Sequence, residues 1–357
     1  MARRPLGAGG VQVTELSFGA AGIGNLYSPI TDAQAATAVD RAWDAGIRYF
    51  DTAPHYGLGL SERRLGEALR GRARSSYVIS TKVGRLLEPV DEVRGDDLAD
   101  GGFAVPATHR RIWDFSADGV RRSIESSLSR LGTDRVDVVF LHDPDDHGEQ
   151  AFREGYPALE KLRSEGVVGA IGAGMNQSEM LTRFVRDTDV DAVLCAGRYT
   201  LLDHGALADL LPAATERGAS VVIGGVFNSG LLADPRPGAR FDYTEAPPRL
   251  LERARTLRAL AERHGTTLRA AALAFPFGHP AVASVLVGIH APEQVTDAAE
   301  QFAAEVPAAF WHEAREAGLL PDEVPVPSDP GALRGPRNPR GLRTSRDPEN
   351  PRGGNHP

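Results

Sequence analysis

The chain of 357 residues has the composition of an ordinary globular protein, with 41% hydrophobic and 25% charged residues. Its net charge of −8 at pH 7 argues against binding to nucleic acid or to an anionic membrane through bulk charge. The single cysteine, Cys195, excludes a disulfide within the chain and favours a reducing, cytoplasmic setting. No apolar stretch reaches the roughly 20 residues of a membrane span, and we expect no signal peptide behind Met1–Pro5.

Short apolar runs alternate with amphipathic segments along most of the chain, after a glycine-rich hairpin predicted at Leu6–Val13. Thr31 and Ser116 are predicted to cap two of the helices at their N-termini. The predicted strands are Leu16–Gly19, Arg48–Asp51, Tyr77–Lys82, Val136–Leu141, Val168–Gly172, Asp191–Ala196, Ser220–Gly224 and Val282–Val287. The predicted helices are Asp32–Ala45, Ser61–Leu69, 117–131, Glu149–Glu165, Ser178–Asp187, Ala206–Arg217, Arg249–His264, Leu268–Ala274, one beginning at Pro292, and Pro307–Ala317.

Strands that are apolar on both faces and separated by helices indicate a parallel sheet covered on all sides. About eight such units favour closure into a (β/α)8 barrel, with the N-terminal hairpin and an extra C-terminal helix added. An open, doubly wound sheet is the alternative, but Gly19, Gly22 and Gly24 do not keep the glycine spacing that it requires. We predict one barrel domain over residues 1–323 and a disordered tail, dense in Pro, Gly and charged residues, over 324–357.

Val83–Phe115 is predicted to be a long loop, and a loop of this length in a compact domain is usually functional or disordered.

Four polar side chains follow the second, third and fourth predicted strands. They are Asp51, Tyr56, Lys82 and His142, and in a barrel all four would lie around the mouth at the C-terminal ends of the strands. A tyrosine with its ordinary pKa near 10 is a slow acid or base at neutral pH, and a neighbouring ammonium group lowers that pKa. Lys82 can supply the ammonium and Asp51 its counter-charge, while His142 can orient a substrate oxygen. No cysteine pair or histidine spacing suits zinc, so we predict no metal site.

Four segments around these residues resemble the catalytic segments of the aldo-keto reductases. They are Phe50–Ala53, His55–Gly57, Ser80–Gly84 and Leu141–Pro144, and the resemblance runs from about Leu6 to Leu320. It implies a (β/α)8 barrel that binds a nicotinamide cofactor in extended form across its mouth. It also implies that Tyr56 is the acid/base, that Lys82 and Asp51 tune it, and that His142 orients the substrate.

Further segments are similar to one branch of that family, whose members oxidise the hemiacetal carbon of an aldose, or of pyridoxal, to a lactone with NAD(P)+. These segments are Leu58–Gly66, Leu141–His147, Gly172–Gln177, Gly197–Leu202 and Gly224–Gly230. The likeness implies a sugar of the L-fucose or D-threo-aldose type as substrate. Two alternatives stay open, an NADPH-dependent reductase of aldehydes or ketones and a non-catalytic, cofactor-binding sensor subunit. A monomer or a small homo-oligomer is expected.

The resemblance also implies the residues that hold the cofactor and the substrate. Relatives that prefer NADP carry arginine near His290, and Asp297 would repel a 2′-phosphate or accept a hydrogen bond from a ribose hydroxyl, so NAD is favoured over NADP. Tyr56, Trp113, His142 and Asp143 are the predicted substrate residues, with Trp113 covering the site. The predicted cofactor residues are Gly19, Asp51, Asn176, Arg198, Gly225, Phe227, Asn228, Gly230, Leu231, Gly288, Ile289, His290, Gln294 and Asp297.

Overall fold

The computed structural model describes residues 1–329, and within them eight parallel strands close into a barrel. The strands in chain order are β1 (Arg3–Pro5), β2 (Gln12–Thr14), β3 (Leu16–Gly19), β4 (Tyr49–Asp51), β5 (Val78–Val83), β6 (Arg85–Pro89), β7 (Asp96–Asp97), β8 (Phe103–Pro106), β9 (His109–Trp113), β10 (Val138–His142), β11 (Ala170–Met175), β12 (Ala192–Ala196), β13 (Ser220–Gly224), β14 (Arg240–Phe241), β15 (Thr244–Glu245) and β16 (Val282–Gly288). Around the barrel the order is β3, β4, β5, β10, β11, β12, β13 and β16, and β16 pairs with β3 to close it.

Helices cover the outer face of this barrel. They are α1 (Asp32–Asp44), α2 (Leu60–Leu69), α3 (Ala117–Leu131), α4 (Gly148–Gln150), α5 (Tyr156–Ser164), α6 (Glu179–Asp187), α7 (Leu210–Arg217), α8 (Pro248–Arg263), α9 (Leu268–Ala274), α10 (Pro292–Ala303) and α11 (Ala308–Glu316). Every residue of β10 and of β13 is buried, as expected for strands with the barrel interior on one face and helices on the other. The predicted (β/α)8 barrel is confirmed.

The hairpin formed by β1 and β2 closes the N-terminal end of the barrel. Leu6, in its turn, and Val13, in β2, are fully buried in one cluster with Tyr49, Phe140 and Val222 from the barrel strands. Because these side chains fill the interior from below, the barrel is a packed core rather than a pore. Within the barrel of residues 1–329, space for a ligand is therefore expected at the opposite end, where the strands terminate.

The predicted helix caps are confirmed. The side chain of Thr31 accepts a hydrogen bond from the amide of Gln34, and the amide of Thr31 donates one to Gln34 Oε1, which forms a capping box. Ser116 caps α3 through the amide of Gly119, and Gly132 ends that helix in the left-handed conformation with φ of 62°.

Several predicted elements have different bounds in the structure, and two of the differences have a local cause. Strand β11 was predicted to end at Gly172 but continues to Met175, because Gly174 and Met175 pair with residues of β10 and β12. The helix predicted over Glu149–Glu165 is instead divided into α4, a π-helical turn at Ala151–Gly155, and α5. Pro157, which has no N–H to donate, lies in the first turn of α5, where the regular helix resumes.

The segment predicted as a long loop at Val83–Phe115 folds into two antiparallel ribbons. Strand β6 pairs with β9 over five residues on each side, and β7 pairs with β8. Phe103, in β8, is buried against Leu58 near the barrel mouth, so the segment is anchored to the barrel by its own side chains. It contributes residues to the cavity described below.

The packed part of the chain extends to Asp329. The disordered tail was predicted to begin at residue 324, but Val324 and Val326 are buried, and Arg315 forms a 2.7 Å ion pair with Asp329. Residues 330–357, the rest of that predicted tail, lie outside the described residues. Among the helices of residues 1–329, none combines the length and apolar character that a membrane crossing needs. The cytoplasmic location and the oligomeric state stay predictions.

Candidate active site

A cavity of about 730 Å³ opens at the C-terminal end of the barrel strands. Side chains on a strand alternate between its two faces, so residues two apart face the same side. Asp51 therefore lies one layer above the interior residue Tyr49, and His142 one layer above Phe140, each at the end of its strand. Lys82 occupies the equivalent position near the end of β5, and all three line the cavity. The barrel thus brings together the residues that were predicted from separate strand ends.

Lys82 and Asp51 form a buried ion pair that holds Tyr56. The ammonium of Lys82 donates to Asp51 Oδ2 at 2.6 Å, to the carbonyl oxygen of Thr52 at 3.0 Å and to Tyr56 Oη at 3.1 Å. The side chains of Lys82 and Asp51 are only 2% and 1% exposed. Ser80 donates a further hydrogen bond to the other oxygen of Asp51 at 2.7 Å.

The direction of these hydrogen bonds fixes the proton of Tyr56. An ammonium group has three protons and can only donate, and Lys82 has an acceptor for each of its three. Tyr56 Oη is therefore an acceptor toward Lys82. Its own proton points away from Lys82, and Tyr56 lines the cavity. The arrangement presents one transferable proton to a bound molecule.

The pKa values in this group follow from burial and from the charges nearby. Burial alone would lower the pKa of Lys82, but Asp51 and then Tyr56 outweigh it and leave that pKa raised, so Lys82 is charged. Burial raises the pKa of Tyr56, and the opposing effect of Lys82 is smaller. The expectation that Lys82 leaves Tyr56 with a lowered pKa is therefore wrong for the net shift, although the contribution of Lys82 has the expected sign.

His142 is a neutral imidazole beside Tyr56. The two ring centroids are 5.9 Å apart with the ring planes perpendicular. Burial, followed by the positive charges of Arg85 and Lys82, lowers the pKa of His142 well below its ordinary value. Its Nδ1 is buried without a hydrogen-bond partner in the described part of the chain. A neutral imidazole in this position can donate a hydrogen bond to an oxygen in the cavity without taking up a proton itself.

The two other predicted substrate residues are placed differently. Asp143 lines the cavity and forms an ion pair with Arg85, and burial raises the pKa of the Asp143 carboxyl. Trp113, in contrast, is not one of the residues that line the cavity and is 40% exposed. Its ring lies 4.4 Å from the guanidinium of Arg85 and stacks on His147. In this structure Trp113 is thus connected to the cavity through Arg85.

The remainder of the cavity fits a flat, polar ligand such as a nicotinamide cofactor. Its lining includes glycines at several strand ends, where the backbone itself faces the cavity. At Gly225, which has a φ of 62°, an added Cβ would lie 3.0 Å from the amide nitrogen of Gly197. Asn228 Oδ1 is buried without a hydrogen-bond partner in residues 1–329, although Asn228 lines the cavity. The predicted cofactor residues that line the cavity are Gly19, Asp51, Asn176, Gly225, Phe227, Asn228, Gly230, Gly288 and Gln294.

Five predicted cofactor residues do not line the cavity. Arg198 pairs with Asp203 and Asp242, and Leu231 and Ile289 are buried in the core. Of the remaining two, His290 precedes α10 and Asp297 lies within it. His290 contacts Ser28 and donates its amide to Gln294, while Asp297 forms a 2.8 Å ion pair with Arg269.

Sequence reasoning missed several residues that line the cavity. His55 immediately precedes Tyr56, and Arg85 lies just beyond the end of β5, so both carry the same positional signal as the residues that were predicted. Arg240 and Tyr243 come from the β14–β15 hairpin, and nothing in the sequence connects that hairpin with the mouth. Over residues 1–329 there is no cluster of His, Cys, Asp or Glu side chains that could hold a metal ion.

A model of the aldo/keto reductase family matches residues 15–318. The chain belongs to this family. It is 48% identical to a D-threo-aldose 1-dehydrogenase from a Pseudomonas species, over 88% of this chain and 97% of the relative. It is 39% identical to a pyridoxal 4-dehydrogenase from Microbacterium luteolum, over 89% and 98% of the two chains. The solved holo form of an aldo-keto reductase from Bacillus halodurans superposes with a TM-score of 0.71 at 26% identity, covering 89% and 96%. The protein is thus an oxidoreductase of a family that uses nicotinamide cofactors.

Proposed function

We propose that the protein is an aldose 1-dehydrogenase. In this reaction a hydride leaves the hemiacetal C1 of a sugar of the L-fucose or D-threo-aldose type for NAD(P)+, and the sugar becomes a lactone. The identity of 48% with D-threo-aldose 1-dehydrogenase, over nearly the whole of both chains, supports this substrate class. The cavity supports it as well, because Arg85, His142 and Asp143 offer hydrogen bonds suited to a molecule with several hydroxyl groups.

The observation that carries the proposal is the contact between Lys82 Nζ and Tyr56 Oη at 3.1 Å, with Asp51 behind it. In the oxidation, the C1 hydroxyl of the sugar lies against Tyr56 and His142. Tyr56 accepts the hydroxyl proton as the hydride leaves C1. The positive charge of Lys82 stabilises the phenolate that accepts the proton, and the neutral His142 donates a hydrogen bond that orients the sugar oxygen.

The raised pKa of Tyr56 sets the direction of the pH effect. At neutral pH Tyr56 is protonated, which is the form that donates a proton when a carbonyl is reduced. Oxidation needs the deprotonated form, whose fraction increases about tenfold for each pH unit below the pKa. His142, with a pKa lowered by burial, stays neutral over the working range. Oxidation is therefore favoured by alkaline pH.

A nicotinamide cofactor, when bound, supplies the hydride acceptor for this reaction. We infer that Gly225, Phe227, Asn228 and Gly288 would hold it across the mouth and that the side-chain amide of Asn176 would bind its carboxamide. NAD is the preferred cofactor in this proposal. His290, near which NADP-preferring relatives carry arginine, is a weaker partner for a phosphate dianion. The charge of Asp297 is already paired with that of Arg269, so the preference is carried by His290.

A steady-state screen tests the proposed function. The purified protein is assayed with NAD+ and with NADP+ against L-fucose, D-arabinose, L-galactose and pyridoxal, and the product is identified as a lactone by mass spectrometry. We expect kcat/KM to be highest for one of the aldoses with NAD+. A preference for pyridoxal would replace the proposed substrate, and tight cofactor binding without turnover of any compound would favour a non-catalytic sensor.

A further inference from the structure

His55 faces the same space as the two groups proposed to contact the reacting oxygen. It lines the cavity, and its ring centroid lies 5.7 Å from that of His142 and 6.0 Å from that of Tyr56. The ring of Phe103 packs perpendicular to that of His55, with the two centroids 5.3 Å apart. The three polar rings therefore surround one small volume at the mouth. Only two of them, Tyr56 and His142, contact the reacting oxygen in the proposed reaction.

A buried ion pair holds the imidazole of His55 in place. Arg111, in β9, donates from Nε to Nδ1 of His55 at 2.5 Å and from its terminal nitrogen to the carbonyl oxygen of His55 at 3.2 Å. The two terminal nitrogens of Arg111 also donate to the two oxygens of Asp97, each at 2.6 Å. Asp97 is only 3% exposed, and an added Cβ on Gly101 would lie 2.3 Å from both partners of the pair. The pair is thus enclosed and has little freedom to move.

The direction of these hydrogen bonds fixes the tautomer of His55. A guanidinium can only donate, so Nδ1 of His55 is an acceptor and the ring proton of the neutral imidazole is on Nε2. Burial first, and then the charges of Arg85, Arg111 and Lys82, lower the pKa of His55 to about 2, so the ring is neutral in the working range. Nε2 has no hydrogen-bond partner in residues 1–329, so its proton is left for a bound molecule.

We propose that His55 determines substrate specificity by donating a hydrogen bond from Nε2 to the hydroxyl on C2 of the sugar. Arg111 and Asp97 are positioning residues that act through His55 by fixing its tautomer. The assignment of a sugar as the ligand rests on the proposed function. Tyr56 and His142 both contact the oxygen on C1, so a third donor set apart from both rings reaches a neighbouring hydroxyl. A substrate that lacks this hydroxyl would cover the Nε2 proton and leave it without a partner, which the site penalises.

The substrate contact is tested with two sugars that differ only at C2, D-arabinose and 2-deoxy-D-ribose. In His55→Leu we expect kcat/KM for D-arabinose to fall roughly 3- to 10-fold, the effect of one neutral hydrogen bond, while the value for 2-deoxy-D-ribose stays unchanged. His55→Gln, whose amide can place a donor near the position of Nε2, is expected to recover part of the loss. An equal loss on both sugars, or no loss on D-arabinose, would overturn the contact.

The fixed tautomer is tested separately by ¹⁵N NMR of histidine-labelled protein, with the signal of His55 assigned by its absence in His55→Gln. We expect the wild type to show a protonated Nε2 and an unprotonated Nδ1 from pH 5 to 9. Arg111→Lys, which retains a charge for Asp97 but lacks the fork of donors, should release the Nδ1 tautomer. It should also reduce kcat/KM for D-arabinose without changing that for 2-deoxy-D-ribose. The control Arg110→Lys changes an exposed arginine on the same strand, 68% exposed at its side chain, and should alter neither.

The two failures can be told apart. A wild type that oxidises no aldose, L-fucose and L-galactose included, refutes the proposed function, and the contact with C2 is refuted with it. The NMR result then still decides whether Arg111 fixes His55. A protonated Nδ1 in the wild type, or an unchanged tautomer in a folded Arg111→Lys, refutes the positioning role even if the sugar is oxidised.

Discussion

Replacement of Lys82 by methionine removes a charge from the centre of the proposed catalytic group and preserves most of the side-chain volume. Tyr56 Oη loses the donor that now lies at 3.1 Å, and Asp51 is left as a buried carboxylate without its counter-ion. The variant should therefore be impaired in two respects, in the ionisation of Tyr56 and in the stability of the fold. The two effects have different origins and can be separated.

The contact distance gives the size of the catalytic effect. Two unit charges 3.1 Å apart interact by about 5 kcal/mol at an effective dielectric constant of about 20, which corresponds to a factor of roughly 10,000 in the ionisation of Tyr56. Acid–base catalysis contributes ~100- to 10,000-fold, so we expect Lys82→Met to reduce kcat to nearly the level of Tyr56→Phe. Loss of one partner of a buried ion pair typically costs about 3–5 kcal/mol of stability.

A double variant, Asp51→Asn with Lys82→Met, separates the two effects. It removes the unpaired carboxylate, so the free energy of unfolding in urea should recover most of the loss, whereas kcat should stay low. Turnover is measured by cofactor absorbance at 340 nm, in conditions where both variants are folded and saturated with cofactor. A Lys82→Met enzyme within tenfold of the wild-type kcat would refute the role of Lys82 in ionising Tyr56.

Three further predictions concern pH, the cofactor and the barrel. Because burial raises the pKa of Tyr56 and His142 stays neutral, kcat/KM for oxidation should rise about tenfold per unit from pH 7 to 9, and a flat profile would contradict this. Asn228 has a φ of 46°, so Asn228→Gly keeps the left-handed backbone while it removes the buried acceptor Oδ1, which has no partner among residues 1–329. A fluorescence titration should then show roughly 3- to 10-fold weaker cofactor binding. Gly172→Ala places a Cβ 1.7 Å from a carbonyl oxygen of β12 and should lower the free energy of unfolding by more than about 2 kcal/mol, whereas Gly288→Ala, with no atom within 4 Å, should change it little.

The barrel could be predicted from the sequence because its strands are continuous apolar runs and its helices carry local caps. These signals depend on neighbouring residues, as in the capping box of Thr31 and Gln34. The ribbons at the mouth carry no such signal. Their strands are short and exposed on one side, and they are stabilised by pairing between distant residues such as Leu86 and Ile112. The end of β11 was missed for the same reason. A glycine such as Gly174 is typical of a turn, and only its pairing with a residue of the neighbouring strand β12 shows that β11 continues.

The positions of the strand ends predicted which residues meet at the mouth. They did not predict how strongly this environment shifts the pKa values of those residues. The alternation along each strand places Asp51, Lys82 and His142 on the inner face. Whether the pKa of Tyr56 is raised or lowered depends on how deeply this side chain is buried, and the depth of burial cannot be predicted from the sequence. The position of His55 beside Tyr56 is visible in the sequence, but its hydrogen bond to Arg111, 56 residues away in the chain, is not.

In the proposed reaction Tyr56 transfers the proton while a sugar is oxidised at C1. The most direct measurement compares wild type and Tyr56→Phe in single-turnover oxidation of L-fucose, with cofactor binding measured on the same samples. We predict that the wild type forms reduced cofactor and lactone, and that Tyr56→Phe binds the cofactor with unchanged affinity but reacts at least about 100-fold more slowly. A Tyr56→Phe enzyme that binds cofactor and retains the wild-type rate would show that Tyr56 does not transfer the proton.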